Sequence, residues 1–252
     1  MTGLIDTTRP GGDDLSNAER KLTKALALAS RMLSQGGHDD LNQGQVSARL
    51  PGSDEFFVKS ALLGFNEARP TDMLRVHVDA RETPPALAPP ELPLHQAVYA
   101  ARPDVNAIVH SHAPYSLVFG ATDWEIRPLS HDGAYFAGRV PRFTETTNTV
   151  LDVATGEAIV AVLGDCPAAF LRNHGLLVVA KSVREVAVLA QLLERAARLQ
   201  IIAEGTGAAY AVSSLPDVEA KREFVYSATA IKAYWDYCVR GVAERWPETA
   251  EW

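Results

Sequence analysis

Apolar residues first recur at helical spacing, at Leu22, Ala25, Leu26, Ala29 and Leu33. Ser16-Asn17-Ala18-Glu19 has the form of a capping box, in which a hydroxyl and a carboxylate each satisfy an N–H group that the helix leaves free. Gly36-Gly37 ends the run. Short β-type segments follow at Gln45 to Leu50, Phe56 to Lys59 and Met73 to Val78. Pro51-Gly52-Ser53-Asp54 and Arg69-Pro70-Thr71-Asp72 separate them as turns.

Residues 82–90 carry four prolines and read as a rigid, extended approach. Pro93 fits only a first helical turn, which predicts a helix from Glu91 to Ala101, ended by Arg102-Pro103-Asp104. Val105 to His110 reads as a buried strand, and Pro114 opens another short helix. Ala169 to Ala180 reads as two apolar strands interrupted by Asn173-His174-Gly175. Ser182-Val183-Arg184-Glu185 is a second capping box, opening a long helix that Gly205 closes. A last helix is predicted from about Asp217 to Gly241, carrying Phe224, Tyr234, Trp235 and Tyr237. Helices flanking a strand-rich middle predict a three-layer α/β/α fold with a mostly antiparallel or mixed sheet. Residues 15–252 read as one domain and residues 1–14 as a flexible tail.

Composition narrows the partners. A chain of 252 residues suits one large domain. Its net charge of −7 gives no basic footprint for nucleic acid or an anionic membrane. Met1 to Ser16 has no apolar core of a signal peptide, and apolar runs such as Leu176 to Ala180 are too short to cross a bilayer. Cys166 and Cys238 have neither metal-type nor disulfide spacing, so a reducing cytoplasm is the expected compartment.

The strongest chemical signal is Val109-His110-Ser111-His112. Side chains two apart on a strand share a face, and paired imidazoles are good ligands for a first-row divalent metal. Alone, His-x-His also suits a surface or core pair. His174, at a tight turn, would in isolation read as a histidine bonded to backbone. Glu91 and His95 share a helix face; a carboxylate at a helix start is favoured by the dipole alone, and His95 reads as a structural or supporting residue.

Taken together, Glu91-Leu-Pro-Leu-His95, Val98-Tyr-Ala-Ala-Arg-Pro-Asp-Val105, Ile108-Val-His-Ser-His-Ala-Pro114 and Leu171-Arg-Asn-His-Gly-Leu176 resemble the class II aldolase/adducin family, loosely from about residue 18 to 240. The resemblance implies one divalent metal ion (zinc, manganese or iron) on His110, His112 and His174, with Glu91 as a further ligand or acid/base. It also implies a ring-like homotetramer with active sites near subunit interfaces. Three neutral imidazoles leave such an ion its full charge and open positions, so it can act as a Lewis acid while a C–C bond breaks.

Members that cleave sugar phosphates hold the phosphate with a Gly-Asn-x-Ser stretch, a Thr-Gly turn and a Ser-Ser pair. Here the matching positions read Gly44-Gln45-Val46-Ser47, Ala61-Leu62 and Pro89-Pro90, which argues against a phosphorylated substrate. Arg49, Lys59 and Ser60 remain as candidates to bind a small carboxylate substrate. His131, roughly where sugar aldolases carry a tyrosine proton donor, is a candidate acid/base. His38 reads as a loop residue and His77 as a strand residue. The favoured expectation is a metal-dependent lyase that decarboxylates a hydroxylated aromatic or heteroaromatic carboxylate. The alternatives are an aldolase on a non-phosphorylated substrate, a non-haem iron oxygenase and a non-catalytic adducin-like interaction domain.

Overall fold

The first helix, α1 (Asn17–Gln35), begins as its sequence predicts: Ser16 Oγ accepts from the Glu19 N–H at 3.3 Å, and the Ser16 N–H donates to the Glu19 carboxylate at 2.8 Å. A computed structural model describes residues 15–252, and the predicted tail over 1–14 lies outside the described residues. The predicted strands form as β1 (Gln45–Ala48), β2 (Glu55–Lys59), β3 (Met73–His77) and β4 (Ala107–Ser111). After β3 comes α2 (Leu92–Ala101), with Pro93 in its first turn; after β4 comes α3 (Pro114–Ala121). Then follow α4 (His131–Phe136), β5 (Arg142–Phe143), α5 (Val153–Leu163), β6 (Ala168–Leu171), β7 (Gly175–Ala180) and α6 (Val183–Gly205).

The strands make one seven-stranded sheet in the order β3-β2-β1-β4-β7-β6-β5. All neighbouring pairs are antiparallel except β5 with β6. Helices cover both faces, which is why the central strands β1, β4 and β7 are buried at every position rather than at alternate ones. The α1, α3 and α6 side packs against Val46, Ala107, Val109 and Val178; the α2 and α5 side packs against Val58, Ile108 and Leu177. The expected three-layer α/β/α fold with a mixed, mostly antiparallel sheet is therefore the observed one.

Strand parity then assigns the chemistry to one face. With Ile108 turned toward α2, His110 must follow it. On β1, Val46 turns toward α1, so Gln45 and Ser47 also face α2. Ser111 turns the other way, where its Oγ lies 2.8 Å from His38 Nδ1.

Two helix expectations need correction. The predicted last helix is two, α7 (Leu215–Val225) and α8 (Ala228–Arg245), because the Ser227 side chain accepts from the Ala230 N–H and starts a new helix. The second capping box is half formed: Ser182 accepts from the Glu185 N–H, but the Glu185 carboxylate takes the Lys181 N–H instead. The sequence reading did not anticipate α4, β5 and α5, although Asp152 caps α5 by accepting from the Thr155 N–H. No helix among the described residues is long and apolar enough to cross a membrane.

His38 lies in a loop as expected, but it is fully buried, and burial pushes its pKa down to about 4. The unfolded chain, with a histidine pKa near 6.5, binds a proton there that the folded state refuses. Stability is thus intact above pH ~6.5 and lost as pH falls toward ~4, by roughly 3 kcal/mol at one proton's slope. Urea unfolding at pH 7 and pH 4.5 should show a smaller acid loss for His38→Gln than for the unsubstituted protein. Equal losses would remove His38 as the cause.

Candidate active site

Four residues from three parts of the chain meet at one end of the sheet. His110 is the penultimate residue of β4, on the α2 face, and His112 lies just past the strand end. His174 comes from the turn between β6 and β7, where Asn173 takes a left-handed φ of 54°. The following glycine serves a different purpose from the unusual backbone angles its sequence context suggests. A Cβ on Gly175 would stand 2.4 Å from Ser111 O and 2.9 Å from His112, so only glycine lets β7 start against β4 here. Glu91 sits at the N-terminus of α2, 2% exposed.

Ligand atoms of Glu91, His110, His112 and His174 all lie within 4.8 Å of one another. Ring centroids are 5.2 Å apart for His110 and His112, 4.9 Å for His110 and His174, and 5.3 Å for His112 and His174. The Glu91 oxygens stand 3.2 Å from His110 Nε2 and 3.2 Å from His174 Nε2. They also accept from the Val150 N–H at 3.2 Å and from Gln45 Nε2 at 3.4 Å.

The tautomers follow from the partners. His110 Nδ1 lies 2.9 Å from Leu176 O and must donate to it, since a carbonyl oxygen only accepts. His112 Nδ1 lies 2.8 Å from Asp40 Oδ2 and likewise donates. In the neutral rings both Nε2 atoms are then lone pairs, and both are buried. Two inward lone pairs and an anionic carboxylate, crowded together out of water, make a site that a divalent cation fits.

Without a cation the groups polarise one another. Burial opposes charge on Glu91, but His110 and His174 outweigh it and hold the carboxyl well below the usual range. Burial works against the imidazolium of His110, yet the Glu91 carboxylate holds its pKa above the ordinary value. His112 is pushed down, by burial first and by His110 next. Beneath the cluster, Ser47 Oγ lies 2.8 Å from both His95 Nδ1 and Tyr99 Oη, and burial brings the His95 pKa down to about 3. His95 thus supports the site as a neutral, buried residue.

Other candidates fall elsewhere. Arg49 is corrected: it stands beyond the opposite end of β1, its three guanidinium nitrogens donating to the carbonyls of Tyr99, Arg102 and Val105. Lys59 is also corrected. Its ammonium donates to the carbonyls of Asn42, Ser60 and Leu63, which uses all three protons. Ser60 is a buried turn residue whose Oγ accepts from the Leu62 N–H at 3.4 Å. His131 opens α4 and lines a separate cavity of about 490 Å³ with Tyr226, Tyr234 and Arg195, to which none of the four clustered residues contributes. Within one chain it is not brought to the cluster. His77 is a strand residue, as expected. The sequence reading missed Asp40 and Gln45; the latter's only advance signal was its alignment with the asparagine of Gly-Asn-x-Ser.

Known proteins share this fold. The family profile described as Class II Aldolase and Adducin N-terminal domain matches residues 24–201. A 3,4-dihydroxyphthalate decarboxylase of Arthrobacter keyseri is 31% identical over 212 residues, covering 77% of this chain and 82% of its own. The crystal structure of an aldolase II superfamily protein from Pseudomonas syringae superposes with a TM-score of 0.82 at 27% identity, covering 93% of this chain and 96% of that one. L-fuculose 1-phosphate aldolase from Glaciozyma antarctica shares the fold, with a TM-score of 0.80 at 21% identity over 92% of each chain. With a histidine and glutamate cluster that can hold a divalent ion, on a sheet of the same architecture, the chain belongs to the class II aldolase and adducin N-terminal domain family.

Proposed function

We propose that the protein is a metal-dependent carbon–carbon lyase that decarboxylates a hydroxylated aromatic or heteroaromatic carboxylate. The convergence of the His110 and His112 lone pairs on the Glu91 carboxylate carries this reading. A divalent ion bound there supplies Lewis-acid stabilisation of the electron pair released from the breaking C–C bond. The ring accepts that pair as carbon dioxide leaves, and a proton must then reach the vacated carbon. Glu91, held ionised and pinned by Val150 and Gln45, can take a proton from a substrate hydroxyl and return it to the carbon.

The loop that would cradle a phosphate supports a non-phosphorylated substrate. The backbone N–H groups of Ser60, Ala61, Leu62 and Leu63 donate to Asp72 O, Leu87 O, Ser60 Oγ and Ser60 O respectively. The Gly64 N–H donates to the Glu67 carboxylate, an anion that would repel a dianion. A phosphate buried against spent donors would cost several kcal/mol of desolvation. A decarboxylase of a dihydroxyphthalate among the relatives favours the aromatic acid.

The test compares kcat/KM on metal-replete protein for hydroxylated aromatic dicarboxylates, read as carbon dioxide release, with that for sugar 1-phosphates, read as aldehyde release. Turnover of at least one aromatic acid without oxygen, and none of the sugar phosphates, is expected. Efficient cleavage of a sugar phosphate with no aromatic acid turned over would overturn the proposal.

A further inference from the structure

His110 and His112 are oriented by different means. His110 is inside β4, and the sheet itself supplies its partner, Leu176 O on the paired strand. His112 lies one residue past the strand end, so no ladder fixes it. Its Nδ1 meets instead a side chain from the loop between α1 and β1, Asp40 Oδ2 at 2.8 Å. A carboxylate can only accept here, which keeps the proton on Nδ1 and leaves Nε2 as the lone pair facing Glu91, His110 and His174. With the proton on Nε2 instead, that atom could not bind a cation.

The loop that presents Asp40 is anchored by contacts other than the one to His112. His38, on one side of Asp40, is buried and bonded to Ser111 Oγ. On the other side, Lys59 Nζ donates to Asn42 O at 3.2 Å, and Asn42 Nδ2 donates to Ala61 O at 2.9 Å. Leu41 between them is in the left-handed region, with φ 52°, and the Gln43 N–H closes a turn on Asp40 O at 2.9 Å. The buried ammonium of Lys59 thus has a use: it fastens the loop that carries Asp40. The Asp40 side chain is 46% exposed, so its exchange should not open the core.

We propose that Asp40 is the positioning residue of the metal site, setting the tautomer and ring orientation of His112 and through it the affinity for a divalent ion. This rests on reading the four-residue cluster as a metal site. Supporting carboxylates on metal-bound histidines typically contribute ~10–100-fold in affinity. Asp40→Ala is expected to weaken zinc or manganese binding by about that factor in a chelator competition. Asp40→Asn, which keeps an oxygen acceptor but no charge, should lose less.

A second readout needs no metal. The ¹⁵N shifts of His112 in metal-free protein should show the Nδ1–H tautomer in the unsubstituted chain and in Asp40→Asn, and a shift toward Nε2–H in Asp40→Ala. Thermal unfolding of the metal-free variants should match the parent; if Asp40→Ala misfolds, Asp40→Asn and the parent's own tautomer still decide. Should the parent bind no ion, the metal reading fails, while the tautomer measurement still judges Asp40. Undiminished ion affinity in Asp40→Ala, or an unchanged His112 tautomer, overturns the proposal.

Discussion

His174→Ala is expected to leave the protein without a tightly held divalent ion and with turnover reduced by roughly 10³-fold or more. The magnitude follows from several kcal/mol of charge stabilisation by the ion, at 1.36 kcal/mol per decade. His174 is the cleanest of the three histidines to remove. It sits in a turn, its side chain 11% exposed, and its backbone N–H would still donate to Leu171 O after the substitution. The equivalent change at His110 would open a hole at a fully buried position, mixing stability loss with metal loss. Metal analysis after gel filtration, with turnover and thermal unfolding of the metal-free protein alongside, separates the two effects. A full equivalent of ion retained by His174→Ala would refute the ligand assignment.

What could be seen in the sequence was whatever repeats at short range. The α1 cap, the strand parity that puts His110 and His112 on one face, and the Asn173-His174-Gly175 turn are all local patterns, and the structure brings their residues together. What escaped was determined by distant partners. Arg49 and Lys59 looked like free cations because lysine and arginine are usually exposed. Their partners are backbone carbonyls, which have no sequence signature; those of Arg49 lie 50 to 56 residues away. Asp40 was invisible for the same reason: its histidine lies 72 positions on, and nothing in Gly37-His38-Asp39-Asp40 distinguishes one aspartate from the other. The break between α7 and α8 was a weaker omission, since Ser227 followed by a helix-forming run is a local cap signal.

The second large effect is expected at Glu91. Glu91→Gln keeps the shape of the side chain, and with it the acceptor for the Val150 N–H, but removes the charge and the ability to carry a proton away and bring it back. Turnover should fall by about 10²–10⁴, the usual range for losing a general acid–base group. Metal content should stay near that of the parent protein, because three imidazoles remain and suffice for a catalytic-type site. This separates the possible roles of the carboxylate. If the ion is lost together with activity, Glu91 acts chiefly as a ligand. If both are retained at parental levels, Glu91 is a residue at a helix start that the dipole favours and nothing more. The geometry argues against that last outcome. At 2% exposure, a carboxylate placed only to complement a helix end gains little from the dipole and gives up its hydration. The groups that compensate for that loss are the Val150 N–H at 3.2 Å, Gln45 Nε2 at 3.4 Å, and His110 Nε2 and His174 Nε2, each at 3.2 Å. A buried carboxylate aimed at two of the three clustered imidazoles is tied to the site's chemistry rather than to the helix.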